Sequence, residues 1–201
     1  MSVTKERFAQ GLTYTEYKNQ MTRNLDRLEN TEKTVELAAE DVAFFAQLPQ
    51  PLHVLGIVEE WCGDVLNNLP VVARLAAESG KLDLRLFLRD QNLDLIDQYL
   101  NQGQFRSIPV FVLFDQNFNE LGHWIERPAL ITQLSAQLRA DLFANDPVLS
   151  QYAPTTSPGE LSEEARNRYS QATAAFRTEN RALSDREVVR ELRALVTPSL
   201  A

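Results

Sequence analysis

The sequence predicts an α/β fold: a four-stranded mixed central sheet flanked by helices, with a helical extension on either side. Three observations carry that expectation. Short apolar runs rich in branched side chains recur at residues 53–58, 82–88 and 110–114. Stretches with helical apolar spacing separate or follow them. Proline-containing breaks at Pro49-Gln50-Pro51 and between Pro147 and Pro158 set this alternating pattern apart from the segments before and after it. The expected division is 1–49 as an N-terminal helical extension, 50–145 as the α/β domain and 146–201 as a C-terminal helical extension.

From Thr13 to Leu48, apolar residues fall at helical intervals, as in Tyr14, Tyr17, Met21, Leu25 and Leu28, then Val35, Leu37, Val42, Phe45 and Leu48. Two helices are expected there, the first capped around Thr13 and Glu16, the second stopped by the prolines. His53 to Val58 then suits a strand buried on both faces. Asp64 to Ala77 reads as a helix with Val65, Leu66, Leu69, Val72 and Ala76 on its apolar side, ended by Gly80.

A second strand is expected at Leu82 to Leu88, parallel to the first, and a helix at Leu93 to Gln102. A third strand at Val110 to Phe114 turns through Asp115 to Asn119 into a fourth at Glu120 to Ile125, antiparallel to it. Ala129 to Phe143 would close this part of the chain. Two amphipathic helices, at Ser162 to Asn180 and Ser184 to Val196, make up the tail.

Composition narrows the function. The chain has 201 residues and a formal net charge of −8, which repels a phosphate backbone, and no Lys/Arg run offsets it, so no nucleic-acid partner is expected. No segment approaches the roughly 20 apolar residues a bilayer helix needs, and Met1 to Gln10 lacks the apolar core of a secretory signal. The expectation is a soluble, cytoplasmic protein with no membrane partner. The single cysteine forbids an internal disulfide, and His53 and His123 lack neighbouring thiols, so no metal site is expected. The seven glycines form no phosphate-cradling motif.

The chemistry concentrates at Trp61-Cys62-Gly63-Asp64, where a strand ends and a helix begins. A thiol at a helix N-terminus meets unpaired backbone N–H groups and the positive end of the helix dipole, which favour the thiolate and predict a lowered pKa. Asp64 suits the first helical turn as a capping carboxylate, and its charge opposes the thiolate. The alternative reading of Cys62 is a small, inert, buried side chain. Trp61 reads as a lid over a ligand or as partly buried core; Phe111, Phe114, Phe118 and Trp124 read as packing. His123 is not expected to act as a base, since nothing in the sequence orients it.

Over residues 52–143 the chain resembles the thioredoxin superfamily. Trp61-Cys62-Gly63 resembles the start of the WCGPC motif, and Pro70 stands where those proteins carry a helix-kinking proline. Arg106-Ser107-Ile108-Pro109 resembles the segment that bears their cis-proline, and Leu121-Gly122 resembles the glycine of the last strand. The resemblance implies a thioredoxin-like fold, and the closer resemblance is to bacterial thioredoxin-like proteins that read WCGD and have an N-terminal helical extension. It implies a cis bond at Ile108-Pro109, with the Ile108 backbone beside the sulfur, free to pair with an extended ligand.

The departures matter as much. Asp64 replaces the motif proline, Val65 replaces the resolving cysteine, and Gly56 stands where many thioredoxins hold a buried acid. A dithiol cycle is impossible. The leading expectation is a monothiol thiol-disulfide oxidoreductase with Cys62 as nucleophile and Trp61, Gly63, Asp64, Ile108 and Pro109 lining the substrate site. Its partners would be client protein disulfides and a small cytosolic thiol, the latter an external co-substrate, with no bound cofactor. The alternative is a redox-inactive thioredoxin-like binding module. An iron-sulfur carrier is disfavoured, because the CGFS motif of such monothiol relatives is not matched by Cys62-Gly63-Asp64-Val65.

Overall fold

A computed structural model describes residues 3–197. The elements in chain order are α1 (Lys5–Phe8), α2 (Tyr14–Gln20), α3 (Leu25–Thr34), α4 (Ala39–Ala46), β1 (Leu52–Val58), α5 (Gly63–Ser79), β2 (Leu82–Leu88), α6 (Leu93–Ile96), β3 (Val110–Phe114), β4 (Glu120–Ile125), α7 (Ala129–Asn145), α8 (Glu163–Glu179) and α9 (Arg181–Val196). The chain forms two compact units, one of residues 1–127 with 185–201, the other of residues 128–184.

In the first unit the strand order is β2-β1-β3-β4. β1 pairs in parallel with β2 and antiparallel with β3, which pairs antiparallel with β4. Central position explains composition: β3, Val-Phe-Val-Leu-Phe, is buried at every residue, and β1 at all but His53. Such strands need apolar side chains on both faces. Edge strand β4 exposes Glu120 and His123 and buries Trp124, which stacks on its register partner Phe111 with centroids 5.8 Å apart. α5 supplies Val65, Leu66, Leu69, Val72 and Leu75 to the core. Its end is set by Gly80, whose φ of 64° is the left-handed conformation glycine adopts without a Cβ penalty.

The stretch expected to form two helices, residues 13–48, instead forms α2, α3 and α4. Helix α2 opens on the Thr13/Glu16 capping box. The first break falls at residues 21–24, where Asn24 takes φ 59°. The second falls at residues 35–38, where Val35 and Ala38 are extended. The apolar spacing continued through both breaks because Val35 is buried in a loop as fully as a helical residue would be. The helix expected at 93–102 ends at Ile96 and gives way to turns closed by an Asn101–Phe105 bridge.

The N-terminal segment covers the β2 edge. Leu12 and Leu86 exchange both backbone hydrogen bonds at 2.8 Å, which satisfies part of an otherwise open sheet edge. Gly11 permits this approach, since a Cβ there would lie 2.6 Å from the Phe87 ring. From the other terminus, α9 buries Val188, Val189, Leu192 and Val196 in this unit's core, and Glu191 accepts the Trp124 indole N–H at 2.6 Å.

The second unit has its own small core of Phe143, Leu149, Leu161 and Ala165. The Arg139 guanidinium lies 4.6 Å from the Phe143 ring centroid and 4.9 Å from that of Tyr169. No helix among the described residues is long and apolar enough to cross a membrane.

Candidate functional site around Cys62

Cys62 is the N-cap of α5, and Gly63 is its first residue. The preceding turn is closed by the Cys62 N–H donating to the Glu59 carbonyl at 3.3 Å. It is also clamped by the N-terminal segment: the Glu60 carboxylate accepts the Thr22 N–H at 2.6 Å and hydroxyl at 2.7 Å, and Asn24 donates to the Glu60 carbonyl at 3.0 Å. The extension thereby fixes the loop that presents the thiol.

The Ile108–Pro109 peptide bond is cis. Cys62 Sγ donates to the Ile108 carbonyl oxygen at 3.4 Å. Residues 46 apart in sequence thus meet at one end of the sheet. Ile108 is itself buried, whereas Trp61 is 42% exposed with the Arg89 guanidinium 4.6 Å from its ring centroid. Arg89 also donates to the Arg106 carbonyl at 3.3 Å, linking the Trp61 turn to the segment before Pro109.

The electrostatics differ from the expectation drawn from helix position. Burial pushes the Cys62 thiol above its ordinary value; the N–H groups of Val65 and Asp64 pull it down, and the charges of Asp64 and Glu126 push it further up. The helix terminus does act on the sulfur, but desolvation of a partly buried thiol outweighs it. The lowered pKa expected from the sequence is therefore corrected to a raised one.

Asp64 pairs with Arg127 at 3.1 Å, and Arg127 also contacts Glu126. Burial works against the Arg127 charge, but the facing carboxylates Asp64 and Glu126 hold it and raise its pKa, with Cys62 a weaker influence in the same direction. Glu126 takes φ 70°, uncommon outside glycine. That turn is tied down from three sides: its N–H donates to the Pro109 carbonyl at 2.7 Å, while Asn68 and Asn101 donate to its carbonyl and its carboxylate, each at 3.0 Å.

Trp61, Cys62, Gly63 and Asp64 thus lie on one turn, facing the Ile108-Pro109 segment through the Cys62–Ile108 contact. Arg127, Glu126 and Arg89 are the site residues sequence reasoning passed over. Each is an ordinary charged residue just beyond a strand, Arg89 after β2 and Glu126 and Arg127 after β4, and only the fold brings it to the turn that carries the thiol. His123 has a partner that the sequence reading did not assign it, Glu120, whose carboxylate lies 2.9 Å from Nδ1. Among the described residues no group of three or more His, Cys, Asp or Glu side chains could hold a metal ion.

A single cysteine at a strand-to-helix turn, opposite a buried X-Pro segment on a β2-β1-β3-β4 sheet, defines a thioredoxin-like domain. The thioredoxin family model matches residues 11–139, and the chain belongs to that family. Among solved structures, a protein of unknown function from Pseudomonas aeruginosa superposes with a TM-score of 0.69 at 16% identity, over 99% of each chain. An HIV epitope scaffold gives 0.64 at 14% identity, over 96% of each chain. Both likenesses are of fold. No curated protein matches the chain.

Proposed function

We propose that the protein is a monothiol thiol-disulfide oxidoreductase of the kind that reads WCGD in bacterial thioredoxin-like proteins, working in the cytoplasm on protein disulfides or on mixed disulfides between a protein and a small thiol. The contact that carries this reading is that of the Cys62 sulfur with the Ile108 carbonyl at 3.4 Å. It sets the thiol beside a backbone edge along which an extended client segment can pair as an added strand. Trp61, Gly63, Asp64, Ile108 and Pro109 would flank that segment.

In this reaction the Cys62 thiolate attacks the small-thiol sulfur of a mixed disulfide. A Cys62–S bond forms, the client S–S bond breaks, and the client cysteine leaves as a thiolate that takes a proton from water. A second small-thiol molecule then attacks the new bond, releasing Cys62 and a small-thiol disulfide. Val65 offers no internal alternative, so turnover is first order in the external thiol. No bound cofactor, nucleic acid or membrane enters this reading.

One observation favours a second reading. The raised Cys62 pKa lowers the thiolate fraction at neutral pH, which suits a redox-inactive module that uses the same groove only to bind. Transfer from a protein–mercaptoethanol mixed disulfide, followed in the presence of excess mercaptoethanol, separates the two. The wild type is expected to turn over and Cys62→Ser to be inert with an unchanged melting temperature. Equal rates in the two would overturn the exchange reading in favour of the module.

A further inference from the structure

We propose that a cavity beside Trp61, distinct from the Cys62–Ile108 contact, is a binding site for a primary ammonium group. It encloses about 470 Å³, and its walls include Tyr17, Met21, Glu59, Glu60, Trp61 and Asp90. It is formed where α2 and the following loop meet the turn before Cys62 and the end of β2.

Two of the wall carboxylates are already answered. Glu60 pairs with Arg23 at 3.3 Å and Asp90 with Arg89 at 2.7 Å. Glu59 is different: only 7% exposed, it accepts the Asp90 N–H at 2.8 Å and forms no ion pair among the described residues. Burial raises its pKa, and the Asp90 N–H lowers it only in part. Glu59 is thus the cavity carboxylate with no ion pair among the described residues, although the Arg89 charge also acts on it.

The second observation is independent of charge. Tyr17 is 1% exposed, and among the described residues its hydroxyl has no hydrogen-bond partner. A buried hydroxyl left unmet has given up its water without a replacement. Tyr17 lines the cavity with Glu59 and Glu60; burial, and after it the charges of Glu59, Glu60 and Cys62, raise the pKa of this hydroxyl.

An alkylammonium satisfies this set. Its three N–H donors can meet the Glu59 carboxylate and the Tyr17 hydroxyl oxygen, its charge cancels that of Glu59, and its alkyl stem lies against Met21 and the aromatic walls. A carboxylate or phosphate ligand would add a second buried anion beside Glu59. The ammonium could arrive on a small aminothiol or on a lysine side chain of a client. For the aminothiol the inference rests on the thiol-exchange reading, because such a ligand would be held against Trp61, the sequence neighbour of the Cys62 whose mixed disulfide it is to resolve.

Calorimetric titration with n-butylammonium tests the site without any redox step. Saturable binding is expected, at least ten-fold tighter than that of butan-1-ol, and at least ten-fold weaker in Glu59→Gln. That variant keeps an acceptor for the Asp90 N–H. Tyr17→Phe, which removes only the unpaired hydroxyl, should weaken binding about three-fold. Equal affinity for the amine and the alcohol, or no binding of either to wild type, would overturn the proposal whatever the variants do.

The source of the ammonium is read from Cys62 modification by cystamine and by bis(2-hydroxyethyl) disulfide. In each the thiolate attacks one sulfur, the S–S bond breaks, and the departing thiolate takes up a proton. A cystamine preference that shrinks in Glu59→Gln supports the aminothiol. Butylammonium binding without such a preference supports the lysine side chain. Failure of both disulfides to react would count against the exchange reading alone.

Discussion

The carboxylate of Asp64 and the guanidinium of Arg127 meet at 3.1 Å, two residues past the only thiol in the chain. Arg127 thereby answers two carboxylates, Asp64 and Glu126, both of which oppose ionisation of Cys62. Replacing Arg127 by Gln removes the local cation and leaves both anions, so the thiol should become less acidic still. The pH profile of Cys62 alkylation should move upward in Arg127→Gln and return most of the way in Arg127→Lys. A profile unmoved by Arg127→Gln would show that the pair is structural only.

Stability should respond to pH through the same thiol. The folded pKa of Cys62 is raised, chiefly by burial. Below the unfolded pKa the thiol is protonated in both states and contributes its full share. As pH rises past that value, the unfolded chain loses the proton first, so stability falls until the folded pKa is passed. Denaturant titrations from neutral pH into the alkaline range should show this decline in wild type and a shallower one in Cys62→Ser.

The strands were legible because central β1 and β3 must be apolar on both faces, a demand that shows within the seven residues of one and the five of the other. The single thiol and the Ile108-Pro109 segment were legible through motif. What the sequence could not show was how far the sulfur is desolvated, a property of packing, nor that Arg127 and Glu126 arrive beside it from a distant loop. Tyr17 carried a helical apolar signal; nothing local announced that its hydroxyl would be left without a partner.

At Gly56, six residues before Cys62, there is no room for the buried acid that many thioredoxins hold there. A Cβ there would fall 2.6 Å from Leu86 Cδ2 and 3.3 Å from Phe111. Both neighbours are fully buried, so neither methyl nor ring has space to yield. Gly56→Ala should cost about 1–3 kcal/mol, the usual range for overpacking, and Gly56→Asp more, because the carboxylate enters an apolar layer. Chemical denaturation of the two variants checks the order; an unaffected Gly56→Asp would show that the pocket opens readily.

Leu192 of α9 is 2% exposed and belongs to the core of the sheet-bearing unit. Leu192→Ala should cost about 2–5 kcal/mol, as buried leucine truncations do, and should lower the melting temperature of the whole sheet rather than fray a tail. Near-UV circular dichroism, which reports Trp124 packing, should melt together with the far-UV signal. A variant of wild-type stability would place α9 outside the cooperative unit.

Val65 sits one helical turn after Cys62, fully buried, with its N–H turned to the sulfur. Without a second thiol there, a mixed disulfide on Cys62 has no internal way out and should persist until an external thiol attacks, its lifetime shortening as that thiol's concentration rises. Val65→Cys supplies the missing sulfur at a spacing that permits a bridge, for a loss of about 1 kcal/mol in packing. Pre-reduced Val65→Cys, offered to insulin with no small thiol present, should then cleave a disulfide and finish with an internal bond between Cys62 and the introduced sulfur. Its rate should be modest, because Gly56 contributes no acid to handle the second proton and Asp64 disfavours another anion nearby. Pre-reduced wild type, which can form only the mixed disulfide, should release no free insulin chains. Efficient release by the wild type under those conditions would rule out the monothiol mechanism.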